Sequence, residues 1–355
     1  MAAANVLDAF RGDAFSNISL SRLVNKTPFI PQFLGSRGAK IFAPTPILTT
    51  GYAVDRLQGS ITLVPTSPRG APATQRKEEK RDSTYFDVPR LAVEAKVRAD
   101  ELQNVRDYND PTQLMTLQTM IARKLMGPTG LTRQIELTWE NMRLGAVQGK
   151  ILDSDGVTVI TNYYTKFGIP VPAAINFDLL NPALYPAGHL RTQLNGLART
   201  MKRAAQGSFI EGQTKIIALV GDNFFDAFIN HPDVTETFKN WFAAQQLREN
   251  RAFGQFDFGG VEWNNYRGTD DNSTVAVNTN ECAFFLQEAP GVFEVAYAPG
   301  ETFEDVNKPG TPMYVYNLPD PSGKNAFVTF EINSFPLFVC TRPETLQKGL
   351  LAAGD

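Results

Sequence analysis

Asp153 and Asp155, in the stretch Ile151-Leu-Asp153-Ser-Asp155-Gly156-Val157-Thr158, are the residues best spaced for chemistry. Two such carboxylates could divide the work of phosphoryl transfer. The same letters also spell a hairpin, because Asp-Gly between two apolar runs is a strong turn signal. The preceding apolar run is short, so the turn is the simpler reading. His189 and His231 each stand near the start of a helical pattern, without a cluster of Cys or carboxylates beside them, so no zinc site is expected. Cys282 and Cys340 lie in apolar runs and read as small buried residues of a reduced protein. The chain has no Gly-x-Ser-x-Gly elbow, no phosphate-binding Gly-x-x-x-x-Gly-Lys-Ser/Thr loop and no Gly-x-Gly-x-x-Gly turn. No catalytic residue, cofactor or metal is therefore assigned.

What remains is charge. Arg76, Lys77, Glu78, Glu79, Lys80, Arg81 and Asp82 form a dense cluster, with Arg69 a few residues before it. Arg191, Arg199, Lys202 and Arg203 share one helical segment and could face a polyanion, another subunit or only water. The formal net charge of -3 argues against a dedicated nucleic-acid binder. It leaves room for weak, non-specific contact with a packaged polyanion.

The first cluster sits between two strand-like arms in Ile41–Arg98. In the second arm Leu91, Val93, Ala95 and Val97 alternate with Ala92, Glu94, Lys96 and Arg98, the period of a strand with one wet face. The first arm, residues 47–64, is rich in Thr, Val, Ile and Leu. Pro65, Pro68, Gly70 and Pro72 break regular structure between them. An arm of ~15 residues reaches roughly 50 Å, and an isolated hairpin is marginal in water. The ribbon must lie on its own subunit or on a neighbour.

The rest of the chain is globular. It has 355 residues, 43% of them hydrophobic and 20% charged, enough for one elaborate domain or two. No run of ~18 apolar residues occurs, so no membrane span is expected. Met1–Asn5 lacks the marks of a signal peptide. Residues 1–40 read as an arm with a short helix near Val6 and Phe10. Asp110-Pro111 opens a helix with Leu114, Leu117, Ile121 and Leu125 on one stripe, stopped by Gly127. A second helix over 131–147 places Ile135, Trp139, Met142 and Ala146 inward, and Arg133, Glu136, Glu140 and Arg143 on its other faces. Strand character follows the hairpin through Tyr163 and Tyr164. A second unit begins near Gly188. It has a helix on Leu190, Leu194, Leu197 and Met201, a strand over 215–220, helices carrying Phe224, Phe225, Phe228, Val234, Phe238 and Trp241, and further strands at 256–263, 282–286, 326–332 and 336–340. A short tail follows Pro343.

Three stretches carry a resemblance. Phe256-x-Phe258-Gly-Gly-Val261-x-Trp263-x-x-Tyr266-Arg-Gly268 looks like a strand–turn–strand signature. Tyr297-Ala-Pro299, Val306-Asn307 and Gly310-x-Pro312-x-Tyr314 form the next segment. Asn333-Ser-Phe-Pro336-Leu-x-Val-Cys-Thr-Arg-Pro343-Glu closes the chain. In this order they resemble the lambda-type major capsid protein family of tailed bacteriophages (capsid protein E), over nearly the whole chain. Phe335 departs from the polar residue expected before Pro336.

The resemblance implies an α+β fold of the Hong Kong 97 type, with an N-terminal arm (1–40), an extended loop (41–98) and a peripheral domain with its spine helix (99–174). An axial domain (175–325) and C-terminal strands returning to the peripheral domain (326–355) complete it. The function implied is a non-enzymatic major capsid protein, assembled in the bacterial host cytoplasm into the icosahedral shell of the virion. Implied partners are copies of the chain in pentamers and hexamers, a separate scaffolding protein, a portal, a decoration protein where the shell carries one, and double-stranded DNA held non-specifically. A scaffold fused before the arm is not expected, since the arm starts almost at Met1. Two alternatives stay open. One is a nanocompartment shell of the same fold around a protein cargo. The other is a soluble magnesium-dependent phosphotransferase using Asp153 and Asp155, because the stretch nearly matches the Asp-x-Asp-Gly-Thr signature of the haloacid-dehalogenase type.

Overall fold

The computed structural model describes residues 29–58, 66, 68–70, 80–103, 117–239, 254–271, 273–322, 324 and 326–352. The helix near Val6, the helix start at Asp110-Pro111, Trp241 and the charges Arg76, Lys77, Glu78 and Glu79 lie outside them.

In chain order the first elements are α1 (Phe33–Ser36), α2 (Gly38–Ile41), β1 (Ala43–Pro46), β2 (Gly51–Gln58), β3 (Lys80–Asp87), β4 (Leu91–Arg98), α3 (Ala99–Leu102) and α4 (Leu117–Met126). The long helix α5 (Leu131–Gln148) buries Ile135, Trp139, Met142 and Ala146, the stripe that its spacing predicts. It ends where Gly149 turns left-handed at φ 87°. A Cβ there would stand 2.6 Å from the Tyr164 ring, so the turn and the close approach both demand glycine. The hairpin β5 (Lys150–Leu152) and β6 (Val159–Asn162) follows as expected.

Tyr163 and Tyr164 do not extend that strand. They open α6 (Tyr163–Phe167), because the Asn162 side chain accepts from the Tyr164 and Thr165 amides and caps a helix. The remaining elements are β7 (Ile175–Asn176), α7 (His189–Ala205), β8 (Lys215–Val220), α8 (Asp222–Asn230), α9 (Pro232–Lys239), β9 (Gln255–Phe258), β10 (Val261–Asn265), β11 (Glu281–Gln287), β12 (Phe293–Tyr297), β13 (Tyr314–Pro319), β14 (Phe327–Ser334), β15 (Pro336–Cys340) and β16 (Gln347–Leu350).

A six-stranded sheet in the order β7-β16-β11-β8-β10-β9 organises the second half. Lys215–Val220 has no polar break after its first residue, the pattern of a strand covered on both faces, and it sits inside this sheet. Register places Trp263, Phe256, Ala218 and Phe284 on one face. Phe224 and Phe228 of α8 stack on Trp263 there, at 6.3 and 3.8 Å between ring centres. The opposite face is more polar, with Glu262 and Asn264 on β10 and Gln287 on β11 all buried. The hydrophobic core continues from this face to the sheet β1-β12-β15 through Phe285, Phe293, Phe42 and Phe338. Cys282 and Cys340 are buried and free, as expected.

Two strand pairings differ from the sequence reading. Leu91–Arg98 alternates in burial as its pattern predicts, but it is not an arm of the ribbon. It pairs with β14, from Leu91 opposite Ser334 to Arg98 opposite Phe327, in the sheet β13-β14-β4. Period-2 patterning fixes which side chains share a face and is silent about the partner. The tail after Pro343 is also ordered. β16 runs between β7 and β11 in the six-stranded sheet, so the chain's end joins the second unit.

Candidate functional site

The ribbon is built from β2 and β3, paired from Gly51 opposite Asp87 to Gln58 opposite Lys80. Lys80, Arg81 and Asp82, expected at the charged tip, are therefore rungs of the ribbon, with Asp82 opposite Arg56. Arg81 forms an ion pair with Asp55 across the ribbon, and this contact holds the Asp55 carboxyl below its usual range. Arg69 is exposed beside the left-handed Gly70.

Alternation divides the ribbon into two faces. Tyr52, Val54, Arg56 and Phe86 point to the body of their own subunit. Phe86 is 1% exposed and packs edge-on against Tyr163 and Phe167 of α6, with ring centres 6.4 and 5.5 Å apart. Arg56 lies 4.8 Å over the Phe167 ring and pairs with Glu344. The Tyr52 hydroxyl donates to Glu294, and burial together with that carboxylate pushes the phenol up. Tyr163 in turn donates to the Phe338 carbonyl at 2.7 Å. The ribbon's root is thus bolted to β12, α6 and the turn after β15. Beside it lies a cleft of about 520 Å³, lined by Arg56, Gln206, Glu294, Thr341, Arg342 and Glu344 among others. The outer face carries Tyr85, which is 56% exposed.

The other expected site residues fall in separate places. Asp155 is exposed and spends its oxygens on the hairpin: Oδ1 accepts from the Val157 and Thr158 amides, and Oδ2 from the Thr158 hydroxyl. Those bonds, the hydroxyl first, hold its carboxyl below the usual range. Asp153 accepts from the Ser154 amide. The pair builds a turn. His189 stacks on Tyr185 with ring centres 4.3 Å apart. His231 accepts from the Asp233 amide through Nδ1, and burial lowers its pKa. Asp233 itself accepts from the Gly188 and Leu190 amides at the start of α7. Among the described residues no group of three or more His, Cys, Asp or Glu side chains is arranged to hold a metal ion.

On α7 the basic residues share the side away from the core. Arg191, Arg199 and Arg203 are exposed, whereas Leu190, Leu194, Leu197 and Met201 are buried. Arg191 bonds the Thr237 hydroxyl at 2.7 Å. Lys202 pairs with Glu211 at 2.7 Å, so it belongs partly to a local contact. The helix contains no acidic residue.

Sequence reasoning missed two residues that tie the molecule together. Glu140, placed there on a polar face, is fully buried. Arg37, given no role, reaches Glu262, Gln287 and Gln255 on the six-stranded sheet. No local spacing marks Glu140, because the groups that meet it come from Leu34, Gly35 and Tyr266, far away in sequence.

Comparison with known proteins accords with this architecture. The model of the family described as phage major capsid protein E matches residues 18–350. The chain is 26% identical to a major capsid protein of Salmonella phage Felix O1, over 93% of this chain and 95% of that protein. It is 24% identical to a major capsid protein of Pseudomonas phage KPP10, over 95% and 98%. Among solved structures, one from Gordonia phage Cozz superposes with a TM-score of 0.50 at 13% identity, covering 92% of this chain and 88% of that one. That likeness concerns the fold.

Proposed function

The chain belongs to the phage major capsid protein E family, is a phage major capsid protein with the Hong Kong 97 type of α+β fold, and from that premise we propose how its parts assemble the shell. The ribbon, residues 51–87, extends from the subunit to overlap a neighbour. The observation that carries this reading is the split between its ends. The root is fixed by Phe86, Arg56 and Tyr52, while Arg81 pairs with Asp55 at the surface and Arg69, in the connection between β2 and β3, is exposed. A fixed root aims the tip, and charge at the tip selects register in the contact. Closed shells arise when such contacts repeat symmetrically among identical chains. Overlapping obligate contacts bury on the order of 2,000–5,000 Å² each, so stability becomes collective.

In this reading α5 is the spine of the peripheral domain (99–174), joined by β13-β14-β4. The axial domain is built on the six-stranded sheet and meets its symmetry mates at pentamer and hexamer centres. Assembly takes place in the host cytoplasm on a separate scaffolding protein around a portal, with a decoration protein where the shell carries one. The shell then holds double-stranded DNA by non-specific contact. The stripe Arg191, Arg199 and Arg203 suits that polyanion, since its helix face carries no opposing charge. Its replacement by Ala is expected to leave assembly intact and to flatten the salt dependence of nucleic-acid retention; an unchanged salt slope contradicts the assignment.

The charge cluster of the ribbon gives the sharper test. Replacing Arg76, Lys77, Lys80 and Arg81 together with Ala should leave the subunit folded. The Arg81–Asp55 pair is on the surface, where solvent screening leaves such pairs little weight in stability. Shell yield should fall sharply. Normal shells from that variant would sink the role assigned to the ribbon's charge cluster.

A further inference from the structure

The segment 29–42 lies between the spine helix and the polar face of the six-stranded sheet, and it holds both. Towards the helix, Gln32 donates to Glu136 at 2.9 Å, and the Leu34 and Gly35 amides donate to Glu140 Oε1 and Oε2 at 2.8 Å each. Towards the sheet, Arg37 donates to Glu262, to Gln287 at 3.3 Å and to Gln255 at 3.1 Å, while Lys40 pairs with Glu288 at 3.4 Å. The Phe29 amide donates to Asp270, and Arg267 lies 3.7 Å over the Phe29 ring.

Glu140 is the point where the three parts meet. Besides the two amides of the segment it accepts from the Tyr266 hydroxyl at 3.3 Å, just beyond β10, and Arg143 stands 3.5 Å away. The approach is close: a Cβ on Gly35 would come within 3.0 Å of the Arg143 guanidinium and 3.4 Å of Glu140. Glu262, Asn264 and Gln287 make this side of the sheet polar, so directional bonds supply part of the joint. Apolar surfaces tolerate sliding, because the attraction between them is not directional. Charge-assisted bonds with fixed donors do not.

We propose that Glu140 and Arg37 are positioning residues, which lock the spine helix and the six-stranded sheet at one mutual angle and thereby set the curvature of the shell. The inference rests on the reading of the chain as a shell protein. Small changes in this angle are repeated in every subunit, so they should appear in shell size and closure more than in subunit folding.

The test uses the full chain with its scaffold, as wild type, Glu140→Gln, Arg37→Met and Arg37→Lys. Particle diameters are measured by electron microscopy, and melting temperature is recorded beside them. The expected result is loss of the single diameter in Glu140→Gln and Arg37→Met, with mixed sizes or open sheets. Arg37→Lys should recover it in part. Arg37 is partly exposed, so its Met variant serves if Glu140→Gln does not fold. Fewer shells of unchanged diameter would show a merely stabilising role and overturn the proposal. A wild-type chain that forms no shells overturns the shell reading itself, and this inference with it.

Discussion

Phe86→Ala should cost the subunit about 3–5 kcal/mol and abolish shell assembly. The magnitude is that of removing a buried aromatic ring, which forfeits its transfer energy and leaves a cavity that neighbours fill only partly. Phe86 is 1% exposed and touches two aromatic rings of α6, so little relaxation is available. The functional loss follows from position. Phe86 stands opposite Tyr52, at the second rung from the ribbon's base. Without it, Arg56 and Tyr52 hold the root alone, and the tip is no longer aimed. Tyr85→Ala, on the outer face of the same strand, is the control and should cost about 1 kcal/mol or less. Thermal unfolding gives the stability and sedimentation gives the assembly. A Phe86→Ala chain that still forms shells would detach the root from function.

Glu140→Ala should destabilise by a similar amount, about 3–5 kcal/mol. Removing one partner of a buried charged cluster strands the others, here Arg143 and the Leu34 and Gly35 amides. The wild-type carboxyl also leaves a signature in pH. Burial raises its pKa above the ordinary value of 4.5, against the lowering effects of the Leu34 and Gly35 amides, Arg143 and Tyr266. The folded state therefore binds the proton more tightly than the unfolded chain. Stability from this group is fully present below the ordinary carboxyl pKa and is lost as pH rises through the folded value. Glu140→Gln cannot titrate, so the stability gap between it and wild type should change across that window and be flat below it. A parallel pair of pH profiles would contradict the burial argument.

Much of this was legible in the residues. The stripe Ile135, Trp139, Met142 and Ala146 announced the long helix α5, and Asp155-Gly156 and Gly259-Gly260 announced their hairpins. The family resemblance carried function, which no side-chain constellation could have supplied, because a shell protein works through surfaces. What failed has physical causes. Leu91–Arg98 showed its faces and hid its partner, which lies more than two hundred residues away on β14. Tyr163 and Tyr164 have strand propensity, yet a capping Asn162 and a left-handed Gly168 enclose them in a helix. Glu140 looked like a surface residue because nothing local tells that the Leu34 and Gly35 amides will come to meet it. A ribbon was foreseen, with its own subunit as one of two possible supports; that its second strand would be Lys80–Asp87 was not.

The most direct test of the central claim is electron microscopy of the purified chain, expressed alone and with the scaffolding protein proposed for it. The account predicts closed icosahedral particles, or rings of five and six on the way to them. A chain that stays monomeric with scaffold present would contradict it.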